Sequence, residues 1–142
     1  MNNAQGKVLE LFISNASKNR LDEIVVDKDG IVGDKFYAKD VQRSILISTI
    51  ESYNLARDNN IEISIGSLGE NILLDYNPYF LPIGSKIKIG NSILEITQNC
   101  TLCKSLTKID SKLPKLLKDD RGVFAKVVEA GVIKKGDKIY IL

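Results

Sequence analysis

The sequence predicts a mostly β protein, its strands closed into a barrel with a few short helices, and three observations carry that expectation. From Glu70 onward the apolar residues fall in short pieces, Glu70–Leu74 (ENILL), Lys86–Ile89 (KIKI), Ser92–Thr97 (SILEIT), Phe124–Glu129 (FAKVVE) and Lys138–Leu142 (KIYIL), each of strand length and β-rich. Turn residues, chiefly glycine, separate these pieces. Only one stretch reads plainly as a helix. Many short strands leave bare edges unless the sheet closes on itself, which is why a barrel is the expected architecture.

Taken along the chain, Lys7–Ile13 (KVLELFI) is short and apolar and reads as the first strand. The run Asp27-Lys28-Asp29-Gly30 supplies a sharp bend after Glu23–Val26, with Gly30 as the residue that tolerates positive φ. Ser44–Ile47 (SILI) reads as a buried strand, and Ser48 followed by Glu51 has the form of a capping box, predicting a helix over Thr49–Asn59. KIKI alternates strictly, so one of its faces is wet, and Gly90-Asn91 is a two-residue connection suited to a tight hairpin. Gly84-Ser85 and Gly136-Asp137 each open a Lys-Ile strand and look like one turn device used twice. Between Ser105 and Asp120, the residues Leu106, Ile109, Leu113, Leu116 and Leu117 fall at helical spacing interrupted by Pro114, which predicts one short helix or two helical turns.

A chain of 142 residues is of ordinary size for one domain, 1–142, able to bury a core without disulfides or structural metal. Its 20 Lys and Arg against 18 Asp and Glu leave a net charge of +2, so no overall field draws it to nucleic acid or an acidic membrane. Tryptophan is absent and aromatic residues are 6%, a poor basis for the stacking platforms of single-strand binders. The lysines gather late, at Lys104, Lys108, Lys112, Lys115 and Lys118, as a solvated face or a site for a small anion. No run reaches the roughly 18 apolar residues of a spanning helix. The polar start 1–7 lacks the form of a signal peptide, so a cytoplasmic location is expected. Two cysteines three positions apart form no secreted-type disulfide framework.

Histidine is absent, which excludes every catalytic triad that uses imidazole and leaves a tetrahedral zinc site short of ligands. What remains is Cys100-Thr101-Leu102-Cys103. A C-x-x-C pair reads as a dithiol exchanger, as half a metal site, or as one working cysteine beside a second small buried side chain. Cysteine acts through its thiolate, so cationic neighbours matter; Lys104 is adjacent, and Arg43 and Arg121 lie in stretches able to converge on the same mouth of a barrel. Gly30-Ile31-Val32-Gly33-Asp34, followed by Gln42-Arg43-Ser44, combines glycines that let a ligand approach with an arginine that grips phosphate or carboxylate. Gly66-Ser67-Leu68-Gly69-Glu70-Asn71 adds Glu70, as a turn residue or as a group that takes a ligand proton.

In this order the pieces resemble the MOSC domain family, named for the C-terminal domain of molybdenum cofactor sulfurases and found also as small stand-alone bacterial proteins. Gly30 to Asp34 is similar to its G-x-x-G-D element, and Gln42-Arg43-Ser44-Ile45-Leu46 to its R-Q-[VI]-[ST]-L strand with the polar pair displaced. Gly69-Glu70-Asn71 resembles its G-E-N stretch, and Leu81 to Gly84 with Ile89-Gly90 its L-x-x-G and I-G spacing. Leu94 to Gln98 followed by Cys103 resembles its cysteine-bearing strand, and Arg121 to Ala125 with Gly131 to Asp137 completes the order.

The resemblance implies binding of the molybdenum cofactor (molybdopterin) or a related pterin, and sulfur handling at Cys103, as persulfide carrier or as a metal contact, since soft sulfur suits such chemistry. It implies Arg43, Asp34, Glu70, Asn71, Arg121 and Gly122 as cofactor-binding residues. These 142 residues leave no room for a pyridoxal-phosphate (PLP) desulfurase domain, so a cysteine desulfurase is the implied sulfur donor and a molybdoenzyme the implied partner. The alternative is a molybdenum-cofactor-dependent oxidoreductase that reduces N-hydroxylated compounds. Two departures bear on this: Phe36 stands where many relatives carry histidine, and Cys100 is additional, able to act in a regulatory or persulfide-resolving disulfide.

Overall fold

The computed structural model describes residues 3–101 and 104–142. Strand β1 (Gly6–Ser14) organises the architecture because it serves three partners along its length. Its first residues pair with β11 (Lys138–Ile141), its middle with β6 (Ile72–Leu74) and its end with β2 (Lys18–Leu21). From β11 the sheet continues through β7 (Lys86–Ile89), β8 (Ser92–Asn99), β9 (Val123–Glu129) and β5 (Ile45–Thr49) back to β6. Seven strands thus close into the expected barrel, with β2 extending one edge. Register shifts in β1 between Val8 and Glu10, and in the β8–β9 pair, bend the strands enough to close it.

One pair in the barrel, β5 with β6, is parallel. Parallel neighbours need a long crossover, and the helix α1 (Ile50–Asp58) supplies it. Its cap differs from the expected one: Thr49, not Ser48, is the N-cap, its hydroxyl accepting from the Glu51 N–H at 3.4 Å. Ser48 is still in β5, where its hydroxyl donates to the Arg121 carbonyl at 2.8 Å, so tertiary pairing claims the side chain that the local motif offered to the helix. The segment expected to be helical over Ser105–Asp120 forms two short helices, α2 (Lys104–Thr107) and α3 (Leu113–Leu116), with Pro114 in the first turn of α3 where its missing N–H costs nothing.

A second sheet, β10 (Gly131–Lys134), β3 (Glu23–Asp27) and β4 (Gly30–Ile31), closes over the barrel and contributes Ile24, Val26, Ile31 and Ile133 to its core. Gly30 turns the β3–β4 hairpin at φ +123°, as its position predicted. On the outside, Tyr53 and Ala56 of α1 meet Leu106, Leu113 and Leu117 in a separate apolar layer. The strand expected over Glu70–Leu74 starts at Ile72, because Glu70 and Asn71 turn inward to polar partners. β2 (KNRL) and β10 (GVIK) carry too few apolar residues to stand out in the sequence, and their partners alone define them. Among the described residues no helix is long and apolar enough to cross a membrane.

Candidate functional site

The end of β1 pairs with the start of β2, Leu46 of β5 faces Phe124 of β9, and the end of β8 runs beside the start of β9, all toward one rim of the barrel. A cleft of about 780 Å³ opens there. Its floor is apolar: Leu46, Cys100 and Phe124 form a small cluster of their own, each less than a tenth exposed. Its walls carry five cations, Lys18, Lys35, Lys39, Arg43 and Arg121, against the two carboxylates Asp34 and Asp40. Asp40 caps the 3-10 turn Val41–Arg43, accepting from the Gln42 N–H.

Of the site residues expected from sequence, Arg43, Asp34, Asn71 and Arg121 line this cleft. Arg43 is exposed and lies 5.6 Å from the centre of the Phe124 ring, a cation held over an aromatic face. Arg121 is buried and donates from Nη2 to the Leu68 carbonyl at 3.1 Å. Asp34 points its oxygens into protein: Oδ1 accepts from the Ser14 N–H at 2.8 Å and from Asn71 Nδ2 at 3.4 Å, and Oδ2 accepts from the Phe36 N–H at 3.1 Å. Asn71 accepts from the Leu46 N–H at 2.9 Å and donates to the Phe12 carbonyl at 3.2 Å, which ties the cleft's back wall to β1 and β5.

Glu70 and Gly122 do not line the cleft. Glu70 is fully buried behind it, its Oε2 accepting from the Tyr53 hydroxyl at 2.5 Å. Burial pushes the Glu70 carboxyl above the ordinary carboxylate range, against the opposing pull of Tyr53 and Lys18. Gly122 is a backbone contact: its carbonyl accepts from the Cys100 N–H at 2.9 Å, and a Cβ there would stand 3.0 Å from both the Ile47 carbonyl and Leu46 Cδ1. Cys103, the expected reactive thiol and metal contact, lies outside the described residues. Cys100 is free, 3% exposed, and at the cleft floor.

Lys18, Lys35 and Lys39 also line the cleft, and none of them stands out in the sequence. Of the late lysines offered as a solvated face or a small-anion site, Lys108, Lys112, Lys115 and Lys118 are exposed and none lines the cleft. Lys18 is exposed as a residue, but its ammonium turns in to the Gly66 carbonyl at 2.6 Å and lies 5.0 Å from the centre of the Phe12 ring. Burial of that end lowers its pKa, with Glu70 and Asp34 pulling the other way. No local pattern marks these lysines, since β2 and the turns after β4 bring them together only in three dimensions. Phe36 is half exposed at the mouth with Lys35 Nζ 5.0 Å from its ring centre.

The model of the MOSC domain matches residues 31–140, most of the chain. The chain belongs to the MOSC domain family. That family is associated with the molybdenum cofactor, and the match takes in the cleft residues from Asp34 to Phe124. Among solved structures, this MOSC chain is similar to the YuaD protein from Bacillus subtilis, at 21% identity and TM-score 0.85, over 99% of this chain and 98% of that one. It is similar also to YiiM from Escherichia coli, at 15% identity and TM-score 0.72 over 96% of this chain and 69% of that one. YiiM from Geobacillus stearothermophilus gives 15% identity and TM-score 0.71 over 100% of this chain and 75% of that one. At such identities these likenesses concern the fold alone. No curated protein matches the chain.

Proposed function

We propose that this MOSC domain holds the molybdenum cofactor, or a related pterin, in the cleft at the barrel rim and carries sulfur as a persulfide on Cys103. The observation that carries the reading is the cleft's division into an apolar floor of Leu46, Cys100 and Phe124 and walls with five cations. A flat heterocycle with a phosphate needs both, because its ring gains from leaving water and its phosphate gains from charge-assisted hydrogen bonds. The donor set fits that organic part. Among the described residues no group of three or more His, Cys, Asp or Glu side chains could hold a bare metal ion, so molybdenum would rest on the cofactor's own sulfurs with at most a cysteine from the chain. When bound, the cofactor supplies the redox chemistry of its metal.

The chain's own part is to bind, to exclude water and to carry sulfur. Arg43, Arg121 and Lys18 are the candidate phosphate contacts, while Asp34, Asn71 and Gly122 shape the wall that presents them. In the sulfur step the Cys103 thiolate attacks the terminal sulfur of a donor persulfide; the donor's S–S bond breaks and its thiolate leaves with the electron pair. A cysteine desulfurase in the cytoplasm is the donor this step calls for, and a molybdoenzyme the recipient.

The test is intact-mass and metal analysis of the full chain purified without strong reductant from cofactor-making cells. The expected result is one added sulfur on Cys103 or co-purifying molybdopterin, with Cys103→Ser abolishing the added sulfur and Cys100→Ser preserving it. Protein carrying neither sulfur nor pterin overturns the reading. Turnover of a hydroxylamine substrate by cofactor-loaded protein would replace the carrier with a reductase of N-hydroxylated compounds.

A further inference from the structure

We infer that Tyr53 and Glu70 are positioning residues that fix where two cations of the cleft, Lys18 and Arg121, stand, and that the charge on Glu70 tunes the affinity of the cleft for a doubly charged anion. The inference rests on the reading of the cleft as an anion-binding site and adds a determinant that does not touch the ligand. Tyr53 is fully buried on α1. Its hydroxyl oxygen accepts from the Gly66 N–H at 2.9 Å and from the Leu68 N–H at 3.2 Å. The carbonyls of those same two residues hold the cations, Gly66 accepting from Lys18 Nζ at 2.6 Å and Leu68 from Arg121 Nη2 at 3.1 Å. One hydroxyl therefore pins the two residues from which both cations hang.

The hydroxyl has two lone pairs and one proton. Both lone pairs are engaged by backbone N–H groups, so the proton must go elsewhere, and Glu70 Oε2 takes it at 2.5 Å. Glu70 thus orients Tyr53, and Tyr53 orients the loop. Ionised, Glu70 also sets a negative charge behind Lys18, opposing any anion that Lys18 attracts. The other groups that feel this carboxylate are Tyr53 from α1 and Tyr79 from the segment before β7, while Asp34 and Lys35 act on Lys18 from the turns after β4. Both tyrosines are pushed up by burial and stay protonated, so of the three buried groups Tyr53, Tyr79 and Glu70 it is Glu70 that gains a proton as pH falls. Its carboxyl takes up a proton above the ordinary carboxylate range, and the opposition to a bound anion then disappears.

The test is sulfate binding to the full chain, followed by the amide resonances of Gly66 and Gly69, between about pH 5 and about pH 8. Sulfate keeps its two charges throughout, so any change belongs to the protein. The wild type is expected to bind sulfate more tightly as pH falls, while Glu70→Gln, which keeps the acceptor for Tyr53, binds about fivefold more tightly at the alkaline end and loses most of the pH dependence. Tyr53→Phe is expected to weaken binding at every pH. Glu70→Gln with the wild-type affinity and slope, folded Tyr53→Phe with wild-type affinity, or a wild type that binds no sulfate each overturns the inference. If Tyr53→Phe does not fold, the Glu70→Gln comparison decides alone. Purified protein without pterin or sulfur would sink the cofactor reading and leave this comparison standing, whereas an unresponsive Glu70→Gln would do the reverse.

Discussion

Asn71 shows how one side chain stands in for a stretch of sheet. Its backbone N–H donates to the Leu46 carbonyl at 2.8 Å and its carbonyl accepts from the Phe12 N–H at 2.8 Å, while the side-chain amide serves the remaining Leu46 N–H and Phe12 carbonyl. Removing that amide leaves a buried donor and a buried acceptor without partners. Asn71→Ala should therefore cost about 2–4 kcal/mol in urea unfolding, a penalty close to a neutral change would contradict. The G-E-N stretch and the G-x-x-G-D element were legible in the sequence, and so were Asp34, Glu70 and Asn71 as residues of interest. What each one does was not, because a carboxylate that accepts three protein N–H donors looks the same in a sequence as one that faces a ligand. The cation that sequence reasoning lacked, Lys18, has no motif around it; only the pairing of β2 to β1 carries it to the Gly66 carbonyl.

At the scale of elements, the start of α1 separates local propensity from tertiary demand. Ser48 and Glu51 have capping-box spacing, yet β5 runs two residues beyond Ile47 and spends the Ser48 hydroxyl on the Arg121 carbonyl, so Thr49 caps the helix instead. Thr49→Ala should weaken the helix end by about 1 kcal/mol, read as faster hydrogen exchange of the first-turn amides of α1. Unchanged exchange there would return the cap to Ser48. The strands with clear alternation or apolar runs, β1, β5, β7, β8, β9 and β11, stand where the sequence put them to within a residue or two at most ends. β2 and β10 escaped notice because a strand that lies at the rim or over a barrel buries only part of one face, and four residues of mixed polarity carry no period.

For the whole molecule the decisive contact is the pairing of the first strand with the last. Gly6 and Lys7 of β1 face Ile139 and Lys138 of β11, and this short join converts an open sheet into a closed one. Deleting residues 138–142 would bare the edges of both β1 and β7 and remove the fully buried Ile139 from the core. Loss of a single cooperative thermal transition, with aggregation on heating, is the expected outcome; a truncated chain that melts as sharply as the intact one would refute the role given to closure. The sequence by itself determined the class of fold, most of its strands and the family resemblance, and it named the two arginines as candidates, because strand periodicity, glycine turns and short motifs are local properties of the chain. Only the tertiary structure decided which groups face the cleft and which stand behind it, that Lys18, Lys35 and Lys39 join the arginines, and that Tyr53 links Glu70 to the loop beneath them. Those facts depend on register and closure, which bring together residues from 14 to 124, and pairing between distant strands leaves no mark on any one of them.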